Sequence, residues 1–251
     1  MNLFSLVVEG VKRIYSGSNA GLKHICLFAI TGILSAVSLH FETLQDSIKA
    51  GVNPDVSTIV VGIIAAIAVS IYITGYSLSL MHNAFDDENP ELLPEIDSKP
   101  FGVFFNALPL MIVWILYAIA VYLLALIPIL GWIALFVLLI IWAPFIQFIY
   151  VAYAKDFNAS GLYNISLPIK YMKPAILPII LLGLIFIPVF IIAMIPSFIV
   201  GVIIGLTGGS ASGIGMYAGG LLGGYLGTII GLLWAYCSVK IYQEKIEPEL
   251  D

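Results

Sequence analysis

Five carboxylates crowd one short stretch of this chain: Asp86, Asp87, Glu88, Glu91 and, a little further on, Glu95. Carboxylates at this density could hold a divalent cation. A calcium loop, however, needs its oxygens in a fixed order, and that order is missing here. A docking surface for a partner fits the run better. Three histidines, His24, His40 and His82, could ligate a metal, but none is spaced from another so that two imidazoles share one helix face. Cys26 and Cys237 are the two cysteines, and both sit in apolar stretches, so neither a disulfide framework nor a C-x-x-C site is available. No serine occupies the centre of G-x-S-x-G. Gly213-Ile214-Gly215-Met216-Tyr217-Ala218 fits a loose dinucleotide fingerprint, but it follows no strand and opens an apolar helix. These residue types predict no catalytic residue, no cofactor and no metal, hence a chain that is not an enzyme.

A second pattern is steric rather than chemical. Gly215, Gly219, Gly223, Gly227 and Gly231 recur every fourth residue, with Gly220 and Gly224 forming a row beside them. Upstream, Ala193, Ser197, Gly201, Gly205, Gly209 and Gly213 keep the same spacing. Such a row lies on nearly one helix face and lets another helix approach closely. Three uses are open: packing of the last two spans on each other, contact between subunits, or the lining of a groove for lipid or solute.

The elements that carry these residues follow from composition. The chain has 251 residues, 61% hydrophobic and 10% charged, against about 25% charged in a soluble domain. Its surface must face something less polar than water. The net charge of −5 argues against nucleic acid as a partner. A crossing helix needs about 20 predominantly apolar residues. Six stretches qualify, near 23–42, 57–81, 102–127, 131–154, 175–198 and 214–240, and none carries Asp, Glu, Lys or Arg away from its ends. Asn106 and Gln147 are the clearest polar groups within them, and hydrogen bonds between helices are their expected use. A proton-coupled carrier would keep ionisable groups mid-membrane.

Basic residues set the orientation. Nine of the 10 Lys and Arg residues fall in the N-terminal segment, the second and fourth loops and the tail; only Lys49 lies on the other side. Both termini are therefore expected in the cytoplasm, and the chain in the cell membrane. The sequons at Asn158 and Asn164 would then be idle. Ahead of the first span, Leu3, Phe4, Val7, Val8, Val11, Ile14 and Tyr15 recur at helical spacing. That pattern predicts an amphipathic helix lying in the membrane interface.

Leu93-Pro94-Glu95-Ile96-Asp97-Ser98-Lys99-Pro100 and Leu167-Pro168-Ile169-Lys170-Tyr171-Met172-Lys173-Pro174 share the pattern L-P-x-x-x-x-K-P. Phe85-Asp86 matches Phe157-Asn158, and Asn89-Pro90-Glu91-Leu92 is echoed by Glu247-Pro248-Glu249-Leu250. The reading is an all-α, polytopic membrane protein of six transmembrane helices, arranged as three repeated hairpins in parallel orientation. Its parts are an interfacial helix and linker at 1–21, a membrane domain at 22–242 with hairpins near 22–81, 101–155 and 175–242, and an acidic cytoplasmic tail at 243–251. Apolar sequence from Ala175 to Leu206 is too long for one straight crossing, and Pro178, Pro188 and Pro196 offer bends. A break near Pro196 is expected, with 197–206 a short external or re-entrant piece.

Gly75-Tyr76, then Phe85, then an acidic linker ending Leu93-Pro94-Glu95, then Lys99 and a new span, resembles the polytopic membrane family catalogued as domain of unknown function 4013. The resemblance implies this architecture over about residues 20–240. Two departures from the family pattern stand out: Ile96 replaces an aromatic residue, and Leu80-Met81-His82 lacks basic residues. The family brings no established activity. The function expected is that of a scaffolding or partner-binding membrane subunit, surrounded by lipid and joined to another membrane protein or to copies of itself. The alternatives are a channel, a lipid-handling protein or a weakly coupled transporter with a path near Pro188 and Gly223.

Overall fold

Asn2 opens the first helix. Its side-chain oxygen accepts from the N–H groups of Phe4 at 3.1 Å and Ser5 at 3.4 Å, two of the amides that a helix start leaves without partners. Helix α1 then runs Leu3–Tyr15, followed by α2 (Ala20–Lys49), α3 (Val56–Ala84), α4 (Pro100–Ala125), α5 (Ala143–Asp156), α6 (Leu167–Thr207) and α7 (Ser212–Ile241). A 3-10 turn, Ala159–Tyr163, follows α5, and α7 passes into a π-helical stretch, Tyr242–Ile246, and a last turn, Glu247–Glu249. The computed structural model describes residues 2–49, 51, 56–89, 91–95, 100–127, 129, 131–134, 136, 143–163, 167–207 and 212–249. Among these there is no strand, and the fold is all-α.

Four helices are long and apolar enough to cross a membrane, over Ile59–Ala84, Gly102–Ala125, Lys170–Ile204 and Ala218–Glu249. The chain is thus a multi-pass membrane protein. The expected first span falls on α2, where Ala20–Ser35 is apolar but shorter. The expected fourth span, 131–154, lies partly outside the described residues, as do Lys99, Gly209 and the sequon at Asn164.

The expected break near Pro196 is absent, and 197–206 continues the same helix. α6 is a single helix of 41 residues, roughly 60 Å long at 1.5 Å per residue. Each internal proline removes one N–H. Ending the helix there would leave several more backbone groups without intrahelical partners. Continuing the helix is the cheaper solution, and α4 likewise runs through Pro109.

The chain divides into two compact units. One comprises Met1–Ser18, Thr74–Ile185 and Leu232–Asp251, the other Asn19–Ile73 and Phe186–Gly231. In the first unit α1 lies against α7 at Gly10, where an added methyl would meet Leu233 Cδ1 at 2.6 Å and Tyr236 Cδ1 at 2.7 Å. Leu6, Val7 and Ile14 are buried on that side, while Phe4, Val8, Val11 and Tyr15 stay exposed. The apolar surface of α1 is therefore two neighbouring stripes, one covered by protein. Ile246, in the expected tail, is also buried. The same unit holds the tightest helix crossing, α3 on α4: the backbone oxygen of Val103 occupies the space a side chain at Gly75 would need.

In the second unit the glycine rows meet two different helices. A methyl at Gly219 would lie 3.3 Å from Ser197 O and 3.4 Å from the Gly201 Cα on α6, and one at Gly223 would lie 2.9 Å from Ser197 Oγ. Ser197 Oγ donates to Gly219 O at 2.5 Å. The neighbouring row faces α2, where a methyl at Gly224 would meet Ser35 Oγ at 2.6 Å and Ser35 Oγ donates to Gly220 O at 3.0 Å. Further along, Gly227 touches only the end of Met194, and Gly231 has nothing within 4 Å. The surroundings of Gly215 are outside those described. A contrast follows. Gly223→Leu should lower the unfolding temperature in detergent, at a cost of about 1–3 kcal/mol for an overpacked helix contact. Gly231→Leu should stay within about 0.5 kcal/mol of the parent. Equal effects at the two positions would mean that the row acts through helix propensity and not through packing.

Candidate functional site

The last carbonyls of an α-helix have no partner within it. At the end of α3 they are met by the end of α7. Lys240 Nζ donates to Ala84 O at 2.7 Å, to Asp87 Oδ1 at 2.5 Å and to Gln243 Oε1 at 2.9 Å. Gln243 Nε2 donates to Phe85 O at 3.0 Å. Lys240 is only 9% exposed. A buried ammonium is costly unless its protons are matched, and here all three are. Its charge also suits the negative end of the α3 dipole.

The linker that follows α3 is folded onto the same framework. Asp86 Oδ1 accepts from Glu88 N at 3.0 Å and Asn89 Oδ1 from Glu91 N at 2.9 Å, two side-chain-closed turns of the kind Asp and Asn favour. Arg13 Nη2 donates to Asn89 O at 2.6 Å and Asp86 O at 3.4 Å, with Nη1 3.9 Å from Asp87. Asn83 Nδ2 donates to Glu91 O at 3.1 Å and Leu92 O at 3.3 Å. Leu92 and Leu93 are buried, and Tyr76 OH donates to Pro94 O at 3.2 Å. Both cations also approach one buried ring: Arg13 lies 5.7 Å and Lys240 5.8 Å from the centroid of Tyr236, whose hydroxyl donates to Glu9 at 2.9 Å.

The five expected docking carboxylates therefore differ in role. Glu91 accepts from the N–H of Ser18 at 2.6 Å and its hydroxyl at 2.5 Å, which ties the segment after α1 to the linker. Asp87 pairs with Lys240 and Arg13 while its side chain remains 76% exposed. Asp86, Glu88 and Glu95 face outward. Pro90 and residues 96–99 lie outside the described set. What reads in the sequence as a solvated acidic loop is a strap with a fixed backbone and an acidic outer surface.

Two further joints complete this end of the unit. His82 Nδ1 donates to Ala154 O at 2.9 Å and Lys155 O at 3.1 Å. The carbonyl partners assign the proton to Nδ1. Lys155 in turn pairs with Glu247. In the spans, Tyr153 OH donates to Asn106 O at 2.8 Å, joining α5 to α4. In the second unit His24 Nδ1 bonds the Tyr225 hydroxyl at 2.9 Å. Among the described residues no three of His, Cys, Asp and Glu gather as a metal would require.

Arg13, Ser18, Asn83, Lys240 and Gln243 were not legible as partners of the linker, nor His82 as the cap of α5. One signal was available: Lys240 and His82 each stand in the last turn of an apolar helix, where cations and imidazoles serve as carbonyl caps. Which helix they cap is a tertiary fact. Comparison of the chain with protein-family models, with curated proteins and with solved structures finds no match.

Proposed function

We propose that this chain is a non-enzymatic, six-span protein of the cell membrane with both termini in the cytoplasm, acting as a scaffolding or partner-binding subunit. The observation that supports this is the held strap. Arg13, Asn83 and Lys240 fix its backbone, so Asp86, Asp87 and Glu88 present their carboxylates without loss of loop entropy when something binds. A preorganised acidic surface fits a basic segment of another membrane protein. The skewed distribution of Lys and Arg supports a cytoplasmic position for that surface. The six-span count adds α2 and the stretch ending in α5 to the four longer apolar helices. The repeated hairpins, and the layout resembling domain of unknown function 4013, belong to the same proposal.

Extraction in mild detergent tests it. The parent chain should retain a protein partner, and Glu88→Lys with Glu95→Lys should lose that partner while eluting and melting like the parent. Both carboxylates point outward, so the double variant spares the fold. A parent that elutes alone as a monomer, or a partner held equally by the charge-reversed chain, would sink the reading.

A further inference from the structure

The helix ends of the first unit are joined in a circle. α7 reaches α3 through Lys240 and Gln243, which hold Ala84 O and Phe85 O. α3 reaches α5 through His82, which holds Ala154 O and Lys155 O. α5 returns to the end of α7 through Lys155 and Glu247. Each of the three ends thus both gives and receives a bond.

The sequence register matches this circle. The echo of Phe85-Asp86 in Phe157-Asn158 has an offset of 72, the separation between His82 and Ala154. The echo of residues 89–92 in 247–250 has an offset of 158, the separation between Phe85 and Gln243. That second offset carries His82 onto Lys240, so the caps of α5 and α3 come from corresponding positions. The turns after α3 and α5 also correspond: Asp86 Oδ1 accepts from Glu88 N and Asn158 Oδ1 from Ser160 N, both at 3.0 Å.

We infer that the ends of α3, α5 and α7 form one cyclic clasp, two of whose three joints come from corresponding positions, and that it opens as a unit. Its joints are unequal. Lys240 is buried with its protons matched, whereas the Lys155–Glu247 pair is exposed, at 42% and 31% of its side chains. An exposed ion pair is weak and screened by salt. The circle therefore opens first between α5 and α7, and a break in one joint loosens the others. This inference is independent of what the outer surface of the strap binds.

Amide hydrogen exchange on the full chain in lipid nanodiscs tests it. In Lys240→Met, amides 153–157 at the end of α5, which Lys240 does not touch, should exchange about tenfold faster, the mark of a shared opening. In Glu247→Gln, a near-isosteric change at a half-buried side chain outside the core, amides 81–85 at the end of α3 should also speed up. The parent at high salt should show the same pattern. Faster exchange confined in both variants to the joint that was cut would overturn the clasp and leave three independent caps. If Lys240→Met does not fold, Glu247→Gln and the salt series decide alone.

Discussion

Replacing Gly75 with valine is expected to abolish folded protein, read as loss of the monodisperse peak when solubilised membranes are passed through a sizing column. The obstacle is backbone. Val103 O on α4 fills the place of the missing side chain, and no rotamer of a neighbour can clear it. Any residue larger than glycine must push two helices apart. Overpacking of side chains costs about 1–3 kcal/mol, and a displaced helix pair loses contacts along its whole length. Set against a total stability of about 5–15 kcal/mol, that is enough to empty the native state. Gly75→Ala should fold only marginally. Gly183→Ala on α6 is the matched control: nothing lies within 4 Å of it, and removing an unneeded helical glycine should stabilise by up to about 1 kcal/mol. Equal tolerance at positions 75 and 183 would refute the close crossing.

Gly75 also marks the limit of what was legible. Continuous apolar runs placed the helices well, because a span needs only length and hydrophobicity: 57–81 became Val56–Ala84 and 214–240 became Ser212–Ile241. The regular glycine row in α7 is visible in its spacing, yet the glycine on which another helix's backbone sits most closely, among the described residues, is the isolated Gly75. Periodicity reveals a long shallow groove, whereas a single crossing point needs one small residue and leaves no pattern. The structure gives Gly75 and Tyr76 each a physical role. Gly75 admits α4, and Tyr76 anchors the linker at Pro94 O. The break expected in α6 is absent because one missing N–H costs less than the several backbone groups that a helix end leaves unpaired. The caps on the linker were hidden for another reason. Arg13 and Asn89 are separated by 76 residues and Lys240 and Ala84 by 156, and no local rule selects one carbonyl among many at such distances.

Lys240→Met should lower the unfolding temperature in detergent more than any other single change at the linker, by about 1–3 kcal/mol for the buried carbonyl it orphans, or about 2–4 °C for each kcal/mol in a chain of this size. Methionine keeps the volume of the stem and removes only the charge and its three donated bonds, so the loss is polar rather than steric. Ala84 is fully buried, and its carbonyl loses its Lys240 donor in this variant. Asp87 is different. Its side chain is 76% exposed and regains solvent when the pair is broken, so Asp87→Asn should cost well under 1 kcal/mol. The asymmetry is the test. If Asp87→Asn and Lys240→Met destabilise equally, the bond that matters is the ion pair. If the lysine variant alone is impaired, the cap on α3 is what holds the strap in place. Lys240→Arg should fall between them, because the guanidinium keeps the charge but cannot place three donors around the small space shared by Ala84 O, Asp87 and Gln243.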